Sequence, residues 1–348
     1  MKIGIVTVYN SPNCGSFLQA ISLKHFFEEN GHSVVFIRNH TALKNRLPYR
    51  FSLAAKRLLQ GQWRIAKRIL VSWWSFVWAQ RAFNVVSQNC KDVEVYVLGS
   101  DTIWNIEEQF FQDNYRLFFG ESFSSYKIAY APSIGDTKIE KLLDNKPIIE
   151  SIKNIDYVSA RDLNTVEFLK KIHSSEIAYV VDPTLLSDVN YYNSISQSCE
   201  EPPFLLYYYF GSIDPIVKEK ITEYTKAHGL KIISFGENIS NCDEYIPFDP
   251  LKMLSYFREA HTIVTNTFHG NVFSIIYNKN FVNIESGKSK VSDLLKRYDL
   301  SGRTVKSNDN VEKILNEIID YDSVNIKIAK DKNNSKSFLN NSLFECTE

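Results

Sequence analysis

The chain has 348 residues and a formal net charge of zero, with 44% apolar and 23% charged residues, which is typical of a globular protein long enough for two domains around a cleft. Its five cysteines are scattered and include no CxxC pair, which argues against a disulfide framework and a zinc site. No uncharged apolar run reaches the roughly 18 residues that a membrane-spanning helix needs.

The first half of the sequence alternates between predicted strands and helices. Apolar runs predict strands at residues 2–8, 33–38, 94–98, 127–131, 157–160 and 178–181. Helical spacing over residues 15–30, ending at Gly31, predicts a helix between the first two strands. This alternation indicates a mostly parallel sheet with helices on both faces. Because the first apolar run is too short for a signal peptide, we expect a cytoplasmic protein.

One segment differs in charge. Residues 30–91 contain eleven lysines and arginines, no acidic residue, and four of the five tryptophans. One predicted helix carries an apolar stripe made of Leu59, Trp63, Ala66, Leu70, Trp73 and Val77. Basic side chains lie beside the stripe, namely Lys56, Arg57, Arg64, Lys67 and Arg68. We predict an insertion at residues 42–88 that contacts an anionic membrane surface, packs on the core, or does both. No nucleic-acid partner is expected, because no nucleic-acid motif accompanies the charge.

A polar stretch at residues 190–203 with a Pro-Pro pair predicts a linker to a second domain. Beyond it, predicted strands at 204–210, 231–235, 262–265 and 280–284 alternate with predicted helices at 215–228, 253–260 and 271–277. The predicted fold class is α/β, with two doubly wound, Rossmann-like domains at residues 1–190 and 204–322 that face a cleft, as in glycosyltransferase-B enzymes. Ligands of open parallel sheets bind beyond the carboxyl ends of the strands, so the cleft is the expected site.

Three strand ends in the first domain carry candidate substrate-binding residues. The first strand is followed by Asn13 and Gly15, where backbone N–H groups and a helix dipole suit an anion or a sugar hydroxyl. Gln19 follows in the helix, as a binding residue or a local hydrogen-bond partner. The strand at 94–98 is followed by Ser100 and Asp101.

Trp104 and Asn105 come next, and a carboxylate with an aromatic platform can hold and activate a sugar hydroxyl. Asp101 could equally be a helix N-cap. Ser133 follows the strand at 127–131, where it lines the cleft or serves turn chemistry.

Charged residues follow the next two predicted strands. Arg161 and Asp162 put a cation beside an acid, which a surface ion pair of little energy would also explain. Asp182 precedes Pro183 and predicts a capped helix start, a structural role.

The sharpest candidate lies in the second domain. A predicted strand runs into a turn with Thr267, His269 and Gly270, and then into a helix. A histidine at a helix N-terminus can exchange protons near neutral pH. We therefore predict that His269 is a catalytic residue.

Together these motifs resemble the polysaccharide pyruvyl transferase family. In chain order, the matching motifs are N-x-G-x-x-L-Q from Asn13, G-S-D-x-x-W-N from Gly99, Y-A-P-S-x-G from Tyr130, S-x-R-D from Ser159, D-P-T-L-L from Asp182 and F-H-G from Phe268. The tail from Lys336 is similar to the closing helix of the family, so residues 325–348 are expected to return to the first domain.

The resemblance implies that the donor substrate is phosphoenolpyruvate, with no cofactor. The product would be a cyclic ketal on a sugar of a bacterial surface polysaccharide or its precursor. The functional trio of the family matches Arg161, His269 and Lys290, with Lys288 as the alternate lysine, and Thr267 stands where many members have serine. An undecaprenyl-linked acceptor would give the basic segment a purpose, which is to hold the enzyme at the inner face of the cell membrane.

The chemistry accounts for these residue types. Phosphoenolpyruvate carries a carboxylate and a phosphate, which Arg161 and Lys290 would bind. His269 would protonate the methylene carbon, and Asp101 is the candidate base for the acceptor hydroxyl. No metal is expected, because no His, Cys and carboxylate cluster is evident. Two alternatives remain open: a nucleotide-sugar-dependent glycosyltransferase and a non-catalytic carbohydrate-binding protein of the same pathway.

Overall fold

Two parallel β-sheets organise the computed structural model, which describes residues 1–40, 47–174, 176–237 and 239–346. The strands of the first sheet are β1 (Lys2–Val6), β2 (Ser33–Ile37), β3 (Val85–Val86), β4 (Val95–Leu98), β5 (Tyr126–Ala129), β6 (Tyr157–Ala160) and β7 (Ala178–Tyr179). Those of the second sheet are β8 (Phe204–Tyr208), β9 (Lys231–Phe235), β10 (Glu244–Ile246), β11 (Thr262–Thr265), β12 (Asn280–Ile284) and β13 (Thr304–Val305). The expectations for residues 42–46 and 347–348 fall outside the described residues.

Helices connect these strands. Those before β8 are α1 (Cys14–Glu29), α2 (Leu47–Leu59), α3 (Trp63–Ala79), α4 (Gln109–Gln112), α5 (Tyr115–Phe118), α6 (Ile139–Leu143), α7 (Lys146–Lys153), α8 (Leu163–Lys170) and α9 (Val189–Ile195). Those after it are α10 (Pro215–Ala227), α11 (Pro250–Glu259), α12 (Phe268–Ile276), α13 (Ser289–Arg297), α14 (Val311–Asn316) and α15 (Tyr321–Glu345). Short 3₁₀ turns occur at Gln80–Ala82, Pro183–Leu185 and Ser301–Arg303.

Both sheets follow the same winding rule. The first has the strand order β3-β2-β1-β4-β5-β6-β7, and the second has the order β10-β9-β8-β11-β12-β13. In each sheet the chain starts in the middle, moves to one edge, and then crosses to the other side, which is the Rossmann arrangement. The predicted α/β class with two doubly wound sheets is confirmed. The winding direction reverses between β1 and β4 and between β8 and β11, so a crevice opens beyond the carboxyl ends of these strands.

Polar caps start the helices that border this crevice. The Asn13 side chain accepts a hydrogen bond from the Gly15 N–H at 2.9 Å, which starts α1. Asp162 caps α8 by accepting from the Thr165 N–H at 2.9 Å, and Thr267 caps α12 through the Gly270 N–H at 2.8 Å. Each cap satisfies an N–H group that has no partner within its own helix.

One apolar cluster runs through both halves of the molecule. It includes Phe17 of α1, Tyr192 of α9, Phe273 of α12 and Leu339 of α15. The rings of Tyr192 and Phe273 meet edge to face, with centroids 5.2 Å apart. Continuous burial of apolar side chains of this kind stabilises the contact between the two sheets and their helices.

Helix α15 returns from the second sheet to the first. Near its start, the Tyr321 hydroxyl donates to the Lys279 carbonyl oxygen beside β12. Further along, the Ser335 Oγ accepts a hydrogen bond at 2.9 Å from the Val181 N–H, just after β7. The helix therefore ties the segment after β7 to the second half of the chain.

The linker in the structure is shorter than the stretch predicted at 190–203. Helix α9 occupies the start of the stretch predicted at 190–203, because Tyr192 turns inward and is buried in the shared core. Irregular backbone begins only at Ser196 and continues to β8.

The single basic amphipathic helix predicted near residue 60 is wrong, because the segment forms the two helices α2 and α3. Helix α2 ends at Leu59, and Gly61 follows it with a φ of 71°, a conformation that glycine adopts readily. Leu59 and Trp63 are consequently 91% and 60% exposed, and the residues of α3 that become buried are Ala66, Phe76 and Ala79. The buried face is thus rotated from the predicted stripe. Within the described part of the chain, none of the helices combines the length and apolarity needed to cross a membrane.

Candidate active site

A cavity of about 350 Å³ lies where the two sheets face each other. Its walls come from the segments that follow β1, β4, β8, β11 and β12. Residues of both halves line it, among them Asn13, Ser16, Asp101, Tyr208, Thr267, His269, Lys288 and Lys290. This is the crevice that the reversal of winding direction creates in each sheet.

His269 reaches the cavity from the first turn of α12. The structure starts this helix at Phe268, so His269 lies within the helix and not in the turn before it. Its imidazole packs directly on Gly15 at the start of α1. A Cβ atom at Gly15 would lie 2.1 Å from His269 Nδ1, so only glycine fits there. The N-termini of α1 and α12 therefore meet across the cleft.

Asp182 joins His269 to Arg161. Its Oδ1 atom lies 3.7 Å from His269 Nε2, and its Oδ2 atom accepts a hydrogen bond from Arg161 Nη1. Asp182 also caps the following 3₁₀ turn by accepting from the Thr184 N–H at 3.0 Å. The predicted structural role of this residue is therefore only part of its contribution.

The Arg161 guanidinium lies between two carboxylates. Besides its bond to Asp182, its Nη2 atom donates to Asp101 Oδ1 at 3.2 Å, and it stacks 4.7 Å from the centre of the Phe268 ring. Its side chain is only 1% exposed, so the alternative of a surface pair with Asp162 is wrong. Arg161 holds Asp101 and Asp182 from behind the cavity wall.

Asp101 is the carboxylate that faces the cavity. Its Oδ2 atom accepts a hydrogen bond from the Ser16 hydroxyl at 2.7 Å, and its backbone has a φ of 77°. The structure has no helix that begins at Asp101. The Asp101 side chain instead accepts a hydrogen bond from the adjacent Thr102 N–H at 2.8 Å. The alternative that Asp101 is a helix N-cap is therefore wrong.

Both carboxylates are ionised at neutral pH. Burial alone would raise the pKa of Asp182, but the His269 imidazole and the Arg161 guanidinium outweigh it and hold that pKa well below its ordinary value. Burial likewise opposes the ionisation of Asp101, and the charges of Arg161, His269 and Lys290 again lower its pKa overall. The ionised carboxylates of Asp101 and Asp182 thus both contact the Arg161 guanidinium, and Asp182 also lies beside the His269 imidazole.

Lys288 and Lys290 bring positive charge to the opposite wall. They lie at the N-terminus of α13 and both line the cavity. Burial, followed by repulsion from Arg161, lowers the pKa of Lys290 below its ordinary value. Among the residues that the structure describes, no carboxylate lies within 4 Å of either ammonium group. Both lysines can therefore bind an anion in the cavity.

Trp104 and Asn105 do not line the cavity. Trp104 is fully buried, and its indole N–H donates to the Phe118 carbonyl oxygen at 3.0 Å. It is therefore not the expected sugar platform. The Asn105 Oδ1 atom accepts from the Thr137 hydroxyl at 2.9 Å and fixes a loop.

Four other predicted binding residues support the walls from behind. Gln19 donates to the Thr7 hydroxyl and the Ser16 carbonyl oxygen, both at 2.9 Å, and Ser133 accepts from the Gly135 N–H at 3.0 Å. The Ser100 hydroxyl donates to the Ala131 carbonyl oxygen at 3.0 Å. The Gly270 N–H is used by the Thr267 cap. These contacts hold the loops that carry Ser16, Asp101 and His269.

Sequence reasoning missed Ser16 and Tyr208 and underestimated Asp182. Ser16 and Asp182 come after predicted strands, and Tyr208 lies inside one, as the last residue of β8, so all three are near the edge of a sheet where ligands bind. That position was the available signal, but it does not tell which side chains turn toward the cavity. Among the described residues, no group of three or more His, Cys, Asp and Glu side chains could hold a metal ion.

Replacing Gly15 with alanine should damage the site more than the fold. The new methyl group must displace the imidazole, and a shift of about 1 Å in a catalytic group can lower turnover by roughly 100-fold. Overpacking should lower the free energy of unfolding by about 1–3 kcal/mol. Steady-state kinetics and urea unfolding measure the two effects. Gly302→Ala is the matched control, because a Cβ there meets nothing within 4 Å, and equal kinetics for both variants would contradict the expectation.

Comparisons with known proteins agree with this architecture. A family model described as polysaccharide pyruvyl transferase matches residues 13–288. A comparison with curated proteins found no match. Among solved structures, Arabidopsis thaliana UGT89C1 complexed with UDP-L-rhamnose has a TM-score of 0.51 and 10% identity, over 99% of this chain and 98% of that one.

A putative UDP-N-acetylglucosamine 2-epimerase from Listeria monocytogenes has a TM-score of 0.49 and 8% identity, over 95% of this chain and 90% of that one. At such identities the first likeness shows the fold alone, and that fold is the two-domain, glycosyltransferase-B-like architecture.

Proposed function

The chain belongs to the polysaccharide pyruvyl transferase family, and from this premise we propose that it transfers a pyruvyl group from phosphoenolpyruvate to two hydroxyls of a sugar. The observation that carries the proposal is the cavity itself. An imidazole and two lysines without carboxylate partners among the described residues face one another there, beside an ionised carboxylate. A small, strongly anionic enol ester suits this arrangement of charge.

Lys288 and Lys290 are the proposed donor-binding cations. Phosphoenolpyruvate places a phosphate and a carboxylate on one carbon, so two neighbouring ammonium groups can bind both anions. We do not assign Arg161 to direct binding of phosphoenolpyruvate, because its guanidinium already forms ion pairs with Asp101 and Asp182. It positions those carboxylates.

His269 is the proposed general acid. It delivers a proton to the methylene carbon of the enol, which becomes a methyl group while positive charge develops on the adjacent carbon. The first sugar hydroxyl forms a C–O bond to that carbon, and phosphate then leaves with the electrons of its own C–O bond. The second hydroxyl adds to the resulting oxocarbenium carbon and closes the ketal. Each hydroxyl releases one proton.

Asp101 is the proposed acceptor of a hydroxyl proton. It is ionised at neutral pH and lines the cavity. Its lowered pKa makes it a weak base toward an intact hydroxyl. Proton transfer to Asp101 therefore becomes favourable only as the new C–O bond forms and the hydroxyl grows more acidic.

Product analysis tests this function directly. The protein is incubated with phosphoenolpyruvate and a panel of lipid-linked or nitrophenyl hexosides, and products are weighed by mass spectrometry. We expect a product heavier than its acceptor by one pyruvate less one water, with one phosphate released. A nucleotide-sugar-dependent glycosyltransferase is the second candidate, favoured by the fold of UGT89C1. Consumption of a nucleotide sugar with no use of phosphoenolpyruvate would replace the proposal by this alternative.

A Lys290→Gln variant should raise the KM for phosphoenolpyruvate by about tenfold or more, because a charge-assisted hydrogen bond is worth roughly 1.5–3 kcal/mol. The pKa of Lys290 is lowered, so its cationic form is lost at a lower pH than for an ordinary lysine. In the wild type, KM should therefore begin to rise with pH below the usual lysine range. Lys296→Gln, an exposed position on the same helix, is the control. An unchanged KM in Lys290→Gln would transfer the role to Lys288.

We also propose that α2 and α3 contact an anionic membrane surface. Leu59, Trp63, Trp74 and Trp78 are exposed on them, and residues 30–91 contain no acidic side chain. Apolar insertion and attraction of basic residues act together at such a surface. Flotation should recover the protein with vesicles that contain phosphatidylglycerol, and high salt should release it. Equal recovery with neutral vesicles would contradict the electrostatic part of this proposal.

A further inference from the structure

The two nitrogens of the His269 imidazole have different surroundings. The Nε2 atom is buried and, within the described part of the chain, has no hydrogen-bond partner. Asp182 Oδ1 lies 3.7 Å from it, and catalytic hydrogen bonds of this kind are often long until a substrate binds. His269 nevertheless lines the cavity, so the ring edge that carries Nδ1 is the one left to face it.

The Asp182 carboxylate is fixed in place beside Nε2. Its Oδ1 atom accepts hydrogen bonds from the Thr184 N–H at 3.0 Å and from the Thr184 hydroxyl at 2.7 Å. Its Oδ2 atom accepts from Arg161 Nη1, and the side chain is fully buried. An ionised carboxylate only accepts hydrogen bonds. The nitrogen that faces Asp182 must therefore carry a proton both before and after the ring gives one up.

The Nδ1 atom lies where it can reach a substrate. It packs against Gly15 in the first turn of α1, where a Cβ atom would lie 2.1 Å from it. The next residue, Ser16, lines the cavity together with Lys288 and Lys290. Because glycine has no side chain, residue 15 leaves this edge of the ring uncovered.

We propose that Asp182 is a positioning residue that holds a proton on Nε2 of His269 and thereby makes Nδ1 the proton donor. This inference rests on the proposed function and adds the atom that delivers the proton. In that step the Nδ1–H bond breaks, and the electron pair of the enol double bond forms the new C–H bond at the methylene carbon. The imidazolium becomes a neutral ring that keeps its Nε2 proton. One of the two hydroxyl protons then restores Nδ1–H.

Asp162 provides a matched control for this role. It accepts from the Thr165 N–H at 2.9 Å and from the Thr165 hydroxyl at 2.7 Å, the same pair of contacts that Asp182 makes with Thr184. Its Oδ2 atom has no hydrogen-bond partner among the described residues, and Asp162 does not line the active-site cavity. An Asp162→Asn variant therefore alters a helix cap without touching the imidazole.

NMR of the wild type, with isotope-labelled histidine rings, measures the tautomer directly. The signals of His269 are those that disappear in His269→Gln. At alkaline pH, where an imidazole is neutral, we expect a single tautomer with the proton on Nε2 and none on Nδ1. A proton on Nδ1, or a rapid average of the two tautomers, would overturn the proposal. This result does not depend on turnover, so it is distinct from a failure of pyruvyl transfer, which the absence of any ketal product would reveal.

Kinetics of Asp182→Asn test the consequence for the reaction. Loss of the aspartate that fixes the histidine tautomer in serine proteases lowers turnover by about 10,000-fold. We expect kcat to fall by about 100-fold or more, while the KM for phosphoenolpyruvate changes by less than about twofold because both lysines remain. Asp162→Asn should keep kcat within about twofold of the wild type. Equal kcat values in the two variants would overturn the proposal, and if Asp182→Asn does not fold, the wild-type tautomer decides.

Discussion

A His269→Gln variant should turn over phosphoenolpyruvate about 100- to 10,000-fold more slowly than the wild type, the usual contribution of a general acid. Glutamine approximates the size of the ring but delivers no proton at neutral pH. The two lysines are untouched, so affinity for the donor should change little. Phosphate release under saturating donor and acceptor measures the rate constant, and titration with phosphoenolpyruvate alone measures the affinity.

His261→Gln is the control for this substitution. His261 lies at the amino end of β11, the opposite end of the strand from His269, and its Nδ1 atom lies 3.0 Å from the Thr262 hydroxyl oxygen. Its loss should leave turnover within about twofold, because His261 does not line the active-site cavity. Full turnover by His269→Gln would remove the imidazole from the proposed mechanism. A parallel fall in both variants would instead indicate general damage to the second sheet.

Replacing Arg161 with methionine should cost about 3–5 kcal/mol of unfolding free energy. The substitution leaves the buried Asp101 and Asp182 carboxylates without the cation that compensates them, and breaking a buried pair from one side carries this penalty. Both carboxylates have lowered pKa values. Their stabilising contribution is therefore complete above the pKa of an unfolded aspartate and is lost as the pH falls through the lower native values. Urea unfolding at neutral pH thus measures the full effect.

Arg116→Met is the matched control. Arg116 pairs with Glu121 at 2.9 Å, but its side chain is 66% exposed, so water screens the interaction. We expect a change below about 1 kcal/mol. The deficit of Arg161→Met should shrink in acid, because unpaired buried carboxylates take up protons more readily. If Arg161→Met lowers the free energy of unfolding no more than Arg116→Met does, other groups must compensate the charges of Asp101 and Asp182.

Most strands were predictable because burial on both faces leaves a plain apolar run, but the short edge strands β3, β10 and β13 were not predicted. The runs at 157–160 and 262–265 coincide with β6 and β11. The cap at Asp182 was predictable for a similar local reason, because Pro183 follows it, whereas the cap at Asp162 was not predicted. Local sequence also identified the strand end that carries His269, because a polar motif after an apolar run marks the edge where parallel sheets bind ligands.

The contacts between distant segments were not predictable in this way. The contacts of Asp182 with Arg161 and His269 form only after the strands of both sheets have paired and the two sheets face each other. The D-P-T motif alone indicates only a cap. Trp104 follows a polar motif just as a sugar platform would, yet its indole turns into the core to reach Phe118. The spacing also did not choose between Lys288 and Lys290, and both line the cavity.

The return of α15 sets an order of events during synthesis. Ser335 and Leu339, which hold the Asp182 segment and the shared core, leave the ribosome long after the first sheet has emerged. A nascent chain that has reached only residue 320 would lack the ring of Phe338 beside Tyr130 and would expose part of that core. We therefore expect the Asp182 segment to reach its final position only after α15 has been translated, and a chain truncated before α15 to depend on chaperones.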